Sequence, residues 1–212
     1  MHDTTAVMKS KLEKFALVIL LAPLAPVAGL LGFWWTSYIL LSEKWIPLFT
    51  IAGVLLGLLA DIILLKRLIP RAYKMPITFW MVIFVFYTVG VFGFFMGLPV
   101  FNALLAVPAG FVIGARLASA NADMARVRKT ARGATWFTTG ILFLVCAASA
   151  FFALVSSSTP SDLQGMLGLG FEVTQAMVVG LILVGGILLL AFNAALTAAS
   201  VRFTHSFLTR EK

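Results

Sequence analysis

One carboxylate, Asp61, lies well inside an apolar run of this 212-residue chain. A charged side chain at the centre of a bilayer costs about 3 kcal/mol on insertion scales unless it pairs or reaches water, so an aspartate there is a candidate to bind a cation or a proton. Asp61 follows Gly53 and Gly57 at four-residue spacing, which puts all three on one helix face and turns the carboxylate toward neighbouring helices. It also stands only five residues before Lys66, and Arg116 is expected at a similar depth. Two readings follow: an Asp61 to Arg116 ion pair that locks two helices, or a proton or cation site on Asp61.

Neutral polar side chains supply the rest of the candidate chemistry. Asn193, Thr197 and Ser200, spaced by four and three, form a narrow polar stripe, with Gly186 one heptad before Asn193. Such a stripe lines either a helix contact or an aqueous cavity. Interhelical hydrogen bonds in membranes average only about 0.6 kcal/mol, so packing alone does not demand one. Asn102 opens a run interrupted by Pro108, Gly110 and Gly114. The expected substrate or ion site is therefore Asp61, Asn102, Pro108, Asn193 and Thr197. Thr88, Thr138 and Thr139 are more ordinary, because a threonine hydroxyl can bond its own helix backbone.

Catalytic patterns are lacking. No HExxH, GxSxG or CxxC occurs, His2 is near the N-terminal end, and His205 follows the last apolar run. The single cysteine, Cys146, sits in an apolar run, where it reads as core filling and excludes an internal disulfide or a cysteine metal cluster. Neither a metal nor a cofactor is expected, and the chain does not read as an enzyme. Asn121-Ala122-Asp123 is most simply a polar turn or helix cap; the alternative is a lipid-modifying site using Asp123 with the nearby arginines.

The elements that must position these residues are membrane helices. Apolar residues make up 61% of the chain and charged ones only 11%, against about 25% charged in soluble domains. Apolar runs at about 15–41, 46–65, 77–97, 100–117, 134–155 and 173–201 give six spans, the middle four near the 20 residues that cross a hydrocarbon core of about 30 Å and the first and last long enough to tilt. They account for most of the chain, so a single polytopic membrane domain over 1–212 is expected. The first run is too long for a signal-peptide core of about 7 to 15 residues and ends in Trp34, Trp35 and Tyr38, so it reads as a retained span with an aromatic interface marker.

Fifteen of the sixteen Lys and Arg residues fall into four segments: Lys9 to Lys14, Lys66 to Lys74, Arg116 to Arg132, and Arg202 to Lys212. Pairs of spans separate each segment from the next. Short loops rich in Lys and Arg stay cytoplasmic, so the pattern predicts an all-α six-helix transmembrane bundle with both termini in the cytoplasm, in a plasma (inner) membrane. The +8 charge flanks apolar spans and forms no basic face with interleaved aromatics, which favours anionic lipid headgroups over nucleic acid as its partner.

Small residues four apart mark packing faces: Ala25 with Gly29, Ala28 with Gly32, Gly53 with Gly57, Gly93 with Gly97, Ala106 through Gly110 and Gly114 to Ala118, and Ala194 with Ala198 beside Ala195 with Ala199. Leu24-Ala25-Pro26-Val27-Ala28-Gly29 in the first span matches Leu105-Ala106-Val107-Pro108-Ala109-Gly110 in the fourth. Interrupted helices at matching positions of two three-span halves point to an inverted repeat around a midplane transport site. The expected function is a transporter, or a membrane subunit of a transport system, for a small solute, with 156–172 as a gate. A scaffold that docks a partner subunit, or a further copy of itself, through its small-residue faces is the alternative.

Overall fold

A computed structural model describes residues 2–95 and 97–209. Arg210 and Lys212 of the last basic segment lie outside the described residues, as do the side chains of His2 and Lys9. All regular structure among the described residues is helical, and six helical stretches are long and apolar enough to cross a membrane: Glu13–Leu40, Glu43–Lys74, Ile77–Phe94, Val100–Ser119, Met124–Val155 and Gln175–Thr209. The chain divides into two compact units, Met1–Met75 and Pro76–Lys212. They hold two and four of these spans.

In the first unit α1 (His2–Leu21) and α2 (Leu24–Leu40) make up the first span, and α3 (Ile46–Leu68) the second. Pro23 and Pro26 each lack the N–H that would bond four residues back, so the first span breaks at Ala22 and Pro23. Helical bonding is regular on either side: Ala22 N donates to Val18 O at 2.8 Å and Val27 N to Pro23 O at 3.0 Å. A turn of 3-10 helix, Glu43–Trp45, reverses the chain, and α2 packs along α3. Trp34, Trp35 and Tyr38 cluster at the exposed end of α2 with ring centroids 5.3 to 6.5 Å apart, where amphipathic rings suit a membrane boundary.

Glycine sets how closely α2 approaches α3. A Cβ on Gly29 would collide with the carbonyl of Gly53, and one on Gly57 with the carbonyl of Ala25. Backbone on backbone contact of this kind drives association where apolar burial gains nothing from lipid. By contrast, a Cβ on Gly32 would meet open space, so the Ala28 and Gly32 face makes no such contact.

The second unit contains α4 (Ile77–Phe94), the short α5 (Val100–Ala103), α6 (Ala106–Ser119), α7 (Met124–Val155), α8 (Thr159–Leu167) and α9 (Gln175–Thr209). Its centre is the α6, α7 and α9 trio, closed at one end by Leu117, Val127, Ala131 and Val201. Gly110 and Gly114 let α6 lie against α9: a Cβ on Gly110 would be 2.5 Å from Ser200 Cβ, and one on Gly114 2.6 Å from Val201 O. Gly97 does not continue the face of Gly93. The helix ends at Phe94, and Gly97 turns the chain with φ of 81°, a left-handed value that favours glycine.

The connection between α6 and α7 is a tight turn followed directly by helix. Asn121, at φ 48°, terminates α6 with Asn121 N bonded to Ala118 O and Ala122 N to Leu117 O, a Schellman arrangement. Asp123 then caps α7, its Oδ1 accepting from Arg126 N at 3.1 Å. Arg126, Arg128, Lys129 and Arg132 therefore stand on the first turns of a 32-residue helix about 48 Å long. His205 is buried on α9 beside this turn, its Nε2 3.2 Å from Ala122 O.

Candidate functional site

The fourth span is interrupted where its proline requires. Pro108 cannot donate to Leu104 O, and that carbonyl instead accepts from Val107 N at 3.1 Å, tightening the chain between α5 and α6. α9 supplies side chains to the backbone on either side of the break. Asn193 Nδ2 donates to Ala103 O at 3.4 Å and Ser200 Oγ to Val107 O at 2.8 Å. Asn193 Oδ1 accepts from Thr139 Oγ1 at 3.2 Å, and the Thr138 and Thr197 hydroxyls are 2.9 Å apart.

The polar stripe of α9 is thus a helix contact, with Asn193 and Thr197 wholly buried. Thr138 and Thr139, which sequence alone leaves as self-satisfied, are the partners across that contact. Asn102, 2% exposed, donates from Nδ2 to Thr88 O at 2.7 Å. Its Oδ1 and the Thr88 hydroxyl are buried without a hydrogen-bond partner. Spans three to six therefore contribute to one buried polar layer: Thr88, Asn102, Thr138 with Thr139, and Asn193 with Thr197.

Asp61 belongs to the first unit and Arg116 to the second. Asp61 is 7% exposed. The Gly29 to Gly53 and Gly57 to Ala25 contacts fix an antiparallel register that puts Asp61, one turn beyond Gly57, level with Leu21 and the break in the first span. It accepts no hydrogen bond from the described residues of its unit. Pro108 is half-buried in the first turn of α6.

The second unit also holds a cavity of about 730 Å³ at its α8 end. Phe92 and Gly93 of α4, Gly97 to Val100, Cys146 to Ala153 of α7 and Val178 to Leu189 of α9 contribute to its walls. Thr159, Asp162, Leu163 and Met166 of α8 close one side. Their spacing of three, one and three makes them one face of that helix, so the segment between the fifth and sixth spans is a cover on the cavity. Local sequence dictates α8: Pro160 suits a first helical turn, and Gly168 at φ 60° ends it, with Leu169 N bonded to Gln164 O at 3.1 Å.

The lining is mainly apolar. Ser149, Thr159, Asp162 and Cys146 are its polar exceptions, and Asp162 is its one charged residue. A volume of this size suits a single small organic molecule. None of Asp61, Asn102, Pro108, Asn193 and Thr197 lines the cavity. The polar layer is nonetheless adjacent along the helices: Phe92, Val100 and Leu189 at the cavity are four, two and four residues from Thr88, Asn102 and Asn193. Cys146 is a half-buried lining residue, which corrects its reading as core filling.

Sequence reasoning did not locate this cavity, because its walls are ordinary membrane residues drawn from four connected segments. The only local signal was an apolar stretch with Asp162, too short to span and bounded by Pro160 and Gly168. Among the described residues no three His, Cys, Asp or Glu side chains gather into a metal-binding group. Compared with known proteins, the chain matches no family model, no curated sequence and no solved structure.

Proposed function

We propose that this multi-pass membrane protein transports a small solute, or serves as the membrane subunit of a transport system, and that the cavity under α8 is where the solute first binds. The observation that carries this reading is the cavity itself, about 730 Å³ and closed on one side by a nine-residue helix with no other evident duty. Four spans meet one turn beyond it in a buried polar layer. A solute moving past the cavity floor would find hydrogen-bonding groups there, beginning with the unpartnered Asn102 Oδ1 and Thr88 hydroxyl.

The interrupted fourth span is the joint about which such movement would occur, since a helix with substituted backbone bonds bends at less cost than a continuous one. Asp61, at the break in the first span, would couple a cation or a proton. The basic segments orient the protein with both termini in the cytoplasm of a plasma (inner) membrane, which puts α8 and the cavity mouth on the outer side. Anionic headgroups would lie against Arg126, Arg128, Lys129 and Arg132.

Uptake by protein-containing vesicles tests this. Gly186 lines the cavity, and a Cβ there meets nothing within 4 Å, so Gly186→Phe places a ring in the cavity without displacing backbone. Uptake of a transported solute, found by screening apolar fluorescent compounds, is expected to fall at least tenfold in Gly186→Phe at unchanged thermal stability. Undiminished uptake would reject the cavity as the route. The scaffold alternative loses one of its docking faces, because Gly110 is already occupied by Ser200 within the chain.

A further inference from the structure

We infer that the cavity under α8 takes an amphipathic monocation: an apolar body among Phe92, Ile182 and Leu189, and a cationic head on the Asp162 carboxylate. This rests on the proposal that the cavity is a solute site, and it specifies the chemistry of the solute. Asp162 is the single charge in a lining otherwise apolar or weakly polar. One of its carboxylate oxygens, Oδ2, accepts from Ser158 Oγ at 2.8 Å; the other, Oδ1, takes no hydrogen bond from the described residues.

The surrounding segment adds negative charge only. From Ser156 to Thr174 the chain carries Asp162 and Glu172 and neither Lys nor Arg, so an anionic head would meet no counter-charge there. A neutral apolar solute would gain nothing from a carboxylate at the cavity wall. Asp162 is exposed at the edge of the apolar lining, so it can meet a cationic head while the lining takes the apolar body, and both the charge and the body are then matched. Asp162 sits in the first turn of α8, on the same face as Leu163 and Met166, so binding the head would also hold the covering helix closed.

Equilibrium binding of tetraphenylphosphonium to the full-length protein in lipid nanodiscs, corrected for protein-free nanodiscs, tests the inference. Saturable binding is expected, weakened at least tenfold in Asp162→Asn, kept within threefold in Asp162→Glu, and abolished in Gly186→Phe. Tetraphenylborate, an anion of the same shape, should bind at least tenfold more weakly than the phosphonium after the same correction. Equal phosphonium affinity in Asp162→Asn and wild type, with Gly186→Phe still blocking, would overturn the cationic solute and leave the cavity reading standing. Absence of saturable phosphonium binding, or indifference to Gly186→Phe, would overturn both. A phospholipid retained in the cavity and not displaced by the phosphonium, detected by native mass spectrometry, would also overturn the inference and make lipid the occupant.

Discussion

The first and fourth spans carry the same device, a proline among small residues, and each is broken just before it, at Ala22 and Pro23 in one and at Leu104 and Leu105 in the other. In each unit a glycine-lined contact holds a second helix against the broken one. What that helix brings to the break differs. α9 brings Asn193 and Ser200, neutral groups that donate to the carbonyls of Ala103 and Val107 on either side of the break. α3 brings Asp61, an ionisable group with no hydrogen bond from the described residues of its unit. The first arrangement is a joint with its backbone satisfied. The second sets an ionisable side chain beside the break.

The contacts behind both arrangements can be broken, and the largest effect is expected at the glycines. Gly53→Leu drives a side chain into the Gly29 carbonyl and Phe33, and should cost about 3 kcal/mol or more, enough to separate α2 from α3. Gly32→Leu, pointing into open space, should change thermal stability by less than about 0.5 kcal/mol. Comparable losses in the two variants would show that the glycine contact does not set the packing.

Asp61 comes next. The ion pair expected with Arg116 would make Asp61→Asn destabilising by about 2 kcal/mol, between exposed and fully buried pairs, with recovery in the charge exchange Asp61→Arg with Arg116→Asp. A coupling role would instead leave stability intact and remove the pH dependence of solute uptake. Uptake unchanged at every pH in Asp61→Asn would end the coupling role.

The smallest effects lie in the polar layer. Asn193→Ala removes the bonds to Ala103 O and Thr139 and should cost about 1 kcal/mol. Thr88→Val removes a buried hydroxyl that has no partner, so stability should hold or rise slightly. Thermal unfolding of both variants in the same detergent decides the sign. A destabilised Thr88→Val protein would mean that its hydroxyl is in use, by bound water or by solute.

Hydropathy made the six spans legible because lipid demands about 20 apolar residues per crossing, and Pro23, Pro26 and Pro108 made the breaks legible because a missing N–H is a local property. Helix length was not legible in the same way. Hydropathy reports the thickness of the bilayer, whereas α7 runs ten residues before Ala134 because Asp123 caps it and a basic helix is stable in water. Nor could spacing separate Gly53 with Gly57, which carry a helix contact, from Gly93 with Gly97, where the second member lies in a left-handed turn beyond the helix. The polar stripe on α9 was visible from Asn193, Thr197 and Ser200, but its choice between contact and cavity depended on Thr138, Thr139 and the Ala103 carbonyl. Those partners are 54 to 90 residues away in sequence.

Whether the cavity under α8 admits a molecule from water can be read on the chain's own single thiol, since Cys146 lines it. The measurement is the rate of N-ethylmaleimide alkylation of Cys146 in vesicles, followed by intact mass. The expected result is alkylation of the folded wild-type protein, slowed at least tenfold by Gly186→Phe. A wild-type thiol that reacts only after denaturation, or one that reacts equally fast in Gly186→Phe, would contradict an accessible cavity.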